Sequence, residues 1–217
     1  MRDISYYILL LPIGLLSISF HEYMHGRASY ILGDPTAKVM GRLTLNPLAH
    51  LDPIGFIALL IFGIGWAKPV PVNPSYYKNP RKGLMFTSIA GPAANFFLAL
   101  VFTVLFRIFA VLQKVTPYEL FFWSLVHPMN SQLVINIATI LFIGININIA
   151  LAVFNLIPIP PLDGSKILRG VLPPRFDRYF NKLEGPLGLF VLLILFRLKL
   201  FDIVIEPVVL FLLNILI

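Results

Sequence analysis

An all-α polytopic membrane protein is the fold class this sequence predicts, with about five or six transmembrane helices and a short re-entrant β-hairpin or loop region. Three observations carry that expectation. Of the 217 residues, 58% are hydrophobic and only 12% charged, and the mean hydropathy is +0.86, values that belong to a chain solvated largely by lipid. The apolar residues fall in runs close to the roughly 20 residues that cross a bilayer. The basic residues cluster between those runs. Arg27, Lys38 and Arg42 lie in 26–50; Lys68, Lys78, Arg81 and Lys82 in 67–83; Lys166, Arg169, Arg175, Arg178 and Lys182 in 164–183. By the positive-inside rule these three connections face the cytoplasm. The net charge of +7 is therefore a topological signal, and no nucleic-acid partner is expected. With no cysteine, the chain has no disulfide framework and no thiolate site.

The elements follow in order. Ile4–Phe20 carries no charge and runs on into the next residues, giving a first span from outside to inside. It is not read as a cleavable signal peptide, because no small-residue cleavage site follows it and further apolar spans do. Gly41 to Asn46 alternates polar and apolar residues and stops at Pro47, a short strand signal. Ile54–Trp66 is apolar but short, broken by Gly55, Gly63 and Gly65, and flanked on both sides by basic connections. A full crossing would put one basic connection outside, so the segment is expected to be re-entrant. Lys68 to Pro74 loses amide donors at Pro69, Pro71 and Pro74, which leaves an edge strand or a polyproline segment.

Leu84–Phe106 is the second span, from inside to outside. It contains Gly91-Pro92-Ala93-Ala94-Asn95, whose small residues permit close helix contact. Asn95 is a candidate for substrate or oxyanion binding and equally for a hydrogen bond across a helix interface. The connection near 107–130, with only Arg107 and Lys114, is placed outside, where His127 caps or faces solvent. Leu133–Phe154 returns inward, with Asn136, Asn146 and Asn148 along it. Pro158, Pro160 and Pro161 then force the chain to unwind between Asn155 and Gly164. Phe176–Ile217 is generically apolar, one or two accessory spans broken around Arg197–Asp202. The whole of 1–217 reads as a single integral-membrane domain, with its core in 4–170.

The chemistry sits at the inner end of the first span, in His21-Glu22-Tyr23-Met24-His25. Residues four apart on a helix share a face, with Cβ atoms about 5–6 Å apart, so both imidazoles close on one metal ion. Glu22 is turned aside from the pair and is the candidate catalytic general base. Ionisable groups in lipid are functional candidates by default. A catalytic zinc site takes three protein ligands and keeps one position open. Asp163 is the one acid that a helix break places at the cytoplasmic end of another span. Backbone unwound at that depth is tolerated only where it is buried or lines a wet cavity. His21, His25 and Asp163 are thus the candidate ligands of one Zn2+, although the same nitrogen and oxygen donors also suit iron or cobalt.

Taken together, HExxH in the first span, Gly91 to Asn95 in a middle one, and Asn155 to Gly164 with its Asp-Gly end resemble the site-2 protease family of intramembrane zinc metalloproteases. The likeness covers most of 15–170 and fits a compact form without a PDZ or CBS domain. It implies hydrolysis of peptide bonds within or at the edge of transmembrane segments, with membrane proteins or peptides as substrates and the lipid bilayer as setting. The plasma membrane of a prokaryote is the expected setting, and the outside-to-inside course of the first span puts the active site towards the cytoplasm. His21, His25 and Asp163 match the family's zinc ligands and Glu22 its base. The resemblance further implies a membrane-associated β-hairpin at 36–50 and a place for Asn155 beside the substrate backbone. The competing class is a membrane metal-ion transporter using the same His and Asp ligands. Transporters more often show internal repeats with paired broken helices, whereas one broken helix carries ligands here.

Overall fold

The computed structural model describes residues 4–62, 65–120 and 132–216. Residues 121–130 of the connection expected outside, His127 among them, lie beyond the described residues. The architecture is all-helical, and among the described residues no strand forms. Three helices are long and apolar enough to cross a membrane: residues 8–31 of α1 (Ile4–Ile31), α5 (Pro80–Leu112) and α6 (Gln132–Asn155). At about 1.5 Å per residue each exceeds the roughly 30 Å of a hydrocarbon core. Between α1 and α5 lie the short helices α2 (Thr36–Val39), α3 (Pro47–His50) and α4 (Pro53–Phe62). After α6 come α7 (Asp163–Val171), α8 (Asp177–Leu183), α9 (Pro186–Arg197) and α10 (Leu200–Leu216).

Among the described residues three of the expected five or six spans are present by length. A fourth is added only if the pair Pro174–Leu183 and Leu187–Arg197, bent by 72°, counts as one. The C-terminal region is divided by local chemistry. Gly185 at φ 87° ends one piece, and Lys199 at φ 56° separates α9 from α10, so the apolar C-terminal region is divided into lengths too short to cross alone.

Helix α5 is the centre of the bundle, packed against α1, α6 and α7. Its two faces show why. Ala99, Phe102, Phe106 and Ala110 are buried at helical spacing, while Phe97, Leu100, Val104, Ile108 and Val111 are exposed along the opposite side. A soluble helix would carry polar residues on that outer stripe. Here it is as apolar as the core, which is what a lipid-facing surface requires. The protein is therefore an integral membrane protein.

Residues 36–50 do not form the expected hairpin. Thr36 opens a helical turn, and Asn46 Oδ1 caps α3 by accepting from Leu48 N at 3.1 Å. His50 donates from Nε2 to Thr44 O at 2.8 Å. Side-chain capping thus supplies the partners a ladder would have given, and a six-residue alternation is too short to outweigh it. Asp34 gathers this region. Its buried carboxylate accepts from Ser29 Oγ, from Thr36 N and Oγ1, and from Asn73 N. Burial alone would push the carboxyl up, but these donors outweigh it and hold it below the usual range.

The two ends of the segment expected to be re-entrant lie side by side. Leu51 pairs with Ala67 in an isolated antiparallel bridge, and Lys68 N donates to His50 O at 2.9 Å. The chain leaves and returns at one place. Helix α4, with ten residues, rises only about 15 Å.

Candidate metal centre

His21 and His25 lie on the face of α1 that meets α5 and α7, and both are at most 8% exposed. Their Nε2 atoms are 2.9 Å apart. Asp163 Oδ2 is 3.2 Å from His21 Nε2 and 2.9 Å from His25 Nε2. Three side chains separated by up to 142 positions thus bring three donor atoms to one point.

The outer atoms of each ring decide what those inner atoms are. His25 Nδ1 lies 2.7 Å from the backbone carbonyl of Thr87, which can only accept, so Nδ1 carries the hydrogen. His21 Nδ1 lies 2.6 Å from Asn95 Oδ1, also an acceptor. In their neutral form both rings therefore turn an Nε2 lone pair inward, towards a carboxylate. Acceptors so arranged need a positive charge between them. Tetrahedral zinc ligands, about 2.0–2.2 Å from the ion, stand roughly 3.3 Å from one another, close to the spacing of this trio.

Asp163 is placed by three features. The chain unwinds after α6, and Asp163 becomes the first residue of α7. Gly164 then packs against the turn: a Cβ there would stand 2.2 Å from Leu156 O and 2.5 Å from Ile157 O. At the far end of α7, the Arg81 guanidinium donates to Arg169 O (2.6 Å from Nε) and to Leu172 O. Gly170 lies against Met85, so α7 runs antiparallel to α5, from the level of residue 91 to that of residue 85, with Asp163 at its start beside the histidines. Lys166 Nζ lies 3.4 Å from Asp163 Oδ1, on the side of the carboxylate away from the histidines' Oδ2 contacts.

Gly91 makes the cradle. A Cβ at this position would lie 2.3 Å from His25 Nε2 and 2.6 Å from His21 Cε1. Only glycine lets α5 approach while leaving the point between the rings free. Gly91→Ala is expected to fold, because alanine suits a helix better than glycine, yet to displace the rings and lose most bound zinc and activity. Elemental analysis of the purified variant checks this.

Glu22 faces elsewhere. Its Oε2 accepts from the amide of Val70 at 2.8 Å, and the Val70 side chain packs on Gly26, one turn along the same face of α1. Residues 69–73 hold prolines at 69 and 71, so the Val70 amide is a lone donor between two residues that have none. Asn95 is fully buried, its amide oxygen on His21. Asn155 bonds back to Leu151 O within α6 at 2.9 Å. The structure thus joins His21, His25, Asp163 and Asn95. Sequence reasoning missed the Val70 amide, the Thr87 carbonyl and the steric role of Gly91. Backbone atoms carry no residue-type signal; the proline pattern around Val70 was the one available hint.

The model of peptidase family M50 matches residues 8–195. "Putative zinc metalloprotease YwhC" of Bacillus subtilis is 37% identical over 197 residues, 89% of this chain and 82% of that protein. "Putative zinc metalloprotease Rip2" of Mycolicibacterium smegmatis is 32% identical over 82% of this chain and 63% of its own length. A relative of corresponding name from Methanocaldococcus jannaschii is 31% identical over 76% of this chain and 73% of that protein. No solved structure gives a significant match.

Proposed function

The chain belongs to peptidase family M50, zinc metalloproteases of the site-2 protease type, and on that premise we propose that it is an endopeptidase cleaving transmembrane segments of membrane proteins within or at the edge of the bilayer. One observation carries the reading. Two imidazole nitrogens and a carboxylate oxygen converge, buried, along helices whose outer faces are apolar. His21, His25 and Asp163 would hold one zinc ion. When bound, zinc lowers the pKa of water towards about 7 and polarises a carbonyl as a Lewis acid.

The chain's own residues do the rest. Glu22 accepts a proton from the attacking water and returns it to the leaving amine. The Val70 amide holds the carboxylate on one oxygen, leaving the other to work. Irregular backbone at such depth is tolerated where it is buried or lines a wet cavity; residues 156–162, after α6, are irregular, and water enters beside them. A substrate helix must unwind locally to present its carbonyl, so helix-breaking residues near the scissile bond favour cleavage. Asn155, at the end of α6, lies beside the unwound substrate. The whole of 1–217 acts as one domain in the plasma membrane, the bent α8–α9 pair adding an accessory span to the three long ones.

The substrate class is tested with membrane proteomes incubated with wild type or with Glu22→Gln. New termini inside transmembrane segments, made only by wild type, support it; new termini confined to soluble loops contradict it. The sidedness is tested by single cysteines. Ser75→Cys and Arg175→Cys, both at exposed positions, label from the cytoplasmic side, and Thr116→Cys labels from outside. Labelling of Ser75→Cys and Val39→Cys from opposite sides would mean that α4 belongs to a full crossing.

A further inference from the structure

We propose that Asn95, oriented by Asn148 and Ser17, is a positioning residue that locks His21 in the tautomer able to bind metal. This rests on the reading of His21 as a ligand. A neutral imidazole carries one hydrogen, and Nε2 offers its lone pair only while Nδ1 holds that hydrogen. For His25 the matter is settled by a backbone carbonyl, which has no alternative role. For His21 it depends on a side-chain amide, which presents either oxygen or NH2. With NH2 turned towards it, Nδ1 would become the acceptor. Nε2 would then point its hydrogen at His25 and Asp163.

The hydrogen-bond chain behind Asn95 forbids that orientation. Asn95 Nδ2 donates to Asn148 Oδ1 at 2.9 Å and to Ser17 O at 3.3 Å. Asn148 is itself fixed: its Nδ2 donates to Gly144 O at 2.8 Å and to Ser17 Oγ at 2.9 Å. The Ser17 hydroxyl passes its own hydrogen to Ile13 O at 2.8 Å. Both outer ends are backbone carbonyls, which only accept, so the direction of every bond is set from Gly144 and Ile13 inward to His21. Ser17, Asn95 and Asn148 are all 0% exposed, and no bulk water is at hand to repair a mismatch. Helices α1, α5 and α6 each contribute one member, so the packing of the three spans and the protonation pattern of the ligand are one feature. A partner that orients a metal-ligating histidine in this way is usually a carboxylate, a backbone carbonyl or water. An amide does the same only if something else prevents its rotation.

The test uses full-length, metal-free protein in detergent with 15N-labelled histidine, whose spectra distinguish Nδ1–H from Nε2–H, alongside zinc titration of the same samples. Wild type shows His21 with its hydrogen on Nδ1. Asn95→Leu shifts His21 towards Nε2–H, weakens zinc binding about 10- to 100-fold, and leaves His25 unchanged. Asn95→Asp combined with Asn148→Leu restores both, because a carboxylate can only accept from Nδ1, and the leucine removes the oxygen that would oppose it. Unchanged His21 spectra and zinc affinity in Asn95→Leu overturn the proposal, as does failure of the folded double variant to restore them. Should Asn95→Leu not fold, Asn148→Leu leaves Asn95 only the 3.3 Å bond to Ser17. Mixed His21 tautomers there support the proposal and a wild-type spectrum overturns it. If wild type itself binds no zinc, the ligand reading fails, while the metal-free spectra still decide the tautomer.

Discussion

Glu22→Gln keeps its zinc and loses cleavage by about 10²- to 10⁴-fold, the usual contribution of a positioned general base. The structure makes this substitution unusually clean. The Val70 amide that now donates to Glu22 Oε2 finds the amide oxygen of glutamine in the same place, so the side chain stays where it is. None of the three candidate ligands is touched. What disappears is the ability to accept a proton. The measurement pairs cleavage of a transmembrane substrate in proteoliposomes with the zinc content of the same preparation. A Glu22→Gln protein that cleaves near the wild-type rate would remove Glu22 from the chemistry.

Asp163→Asn separates ligation from turn geometry. The substitution keeps the volume and the start of α7, with Gly164 still packed on the Leu156 and Ile157 carbonyls. It replaces an anionic oxygen, 2.9 Å from His25 Nε2 and 3.2 Å from His21 Nε2, with a neutral amide. Zinc affinity falls by more than the roughly 10- to 100-fold that follows loss of an orienting partner, because a ligand itself has been weakened. Asp163→Ala loses nearly all bound metal and activity together. A circular dichroism spectrum like that of wild type shows that neither loss comes from unfolding. An asparagine variant that binds zinc as wild type does would return Asp163 to the role of a turn residue.

Much of this site is legible because helix geometry translates spacing into contact. His21 and His25 at four residues apart had to share a face, and two histidines and an acid at membrane depth need a cation. Asp163 was legible for another reason: Pro158, Pro160 and Pro161 end α6, and the first carboxylate after them starts the next helix. The spans α1, α5 and α6 follow from apolar runs whose length the bilayer dictates. Residues 36–50 misled because capping by Asn46 and the Thr44–His50 bond are tertiary choices that a short alternation does not reveal. In the C-terminal region the break expected around Arg197–Asp202 falls at Lys199, whereas the turn at Gly185 was not legible in a generically apolar composition. Asn95 lay between two readings; only the positions of His21 and Asn148, on two other helices, show what its amide touches.

The central claim is that residues 21–25 and 163 form one catalytic metal site, and zinc titration of folded wild type, Glu22→Gln and Asp163→Ala, with cleavage assayed on the same samples, tests it most directly. Wild type should bind one zinc per chain and cleave, Glu22→Gln should bind one zinc and not cleave, and Asp163→Ala should do neither. Asp163→Ala that retains a full equivalent of zinc and cleaves would contradict the account.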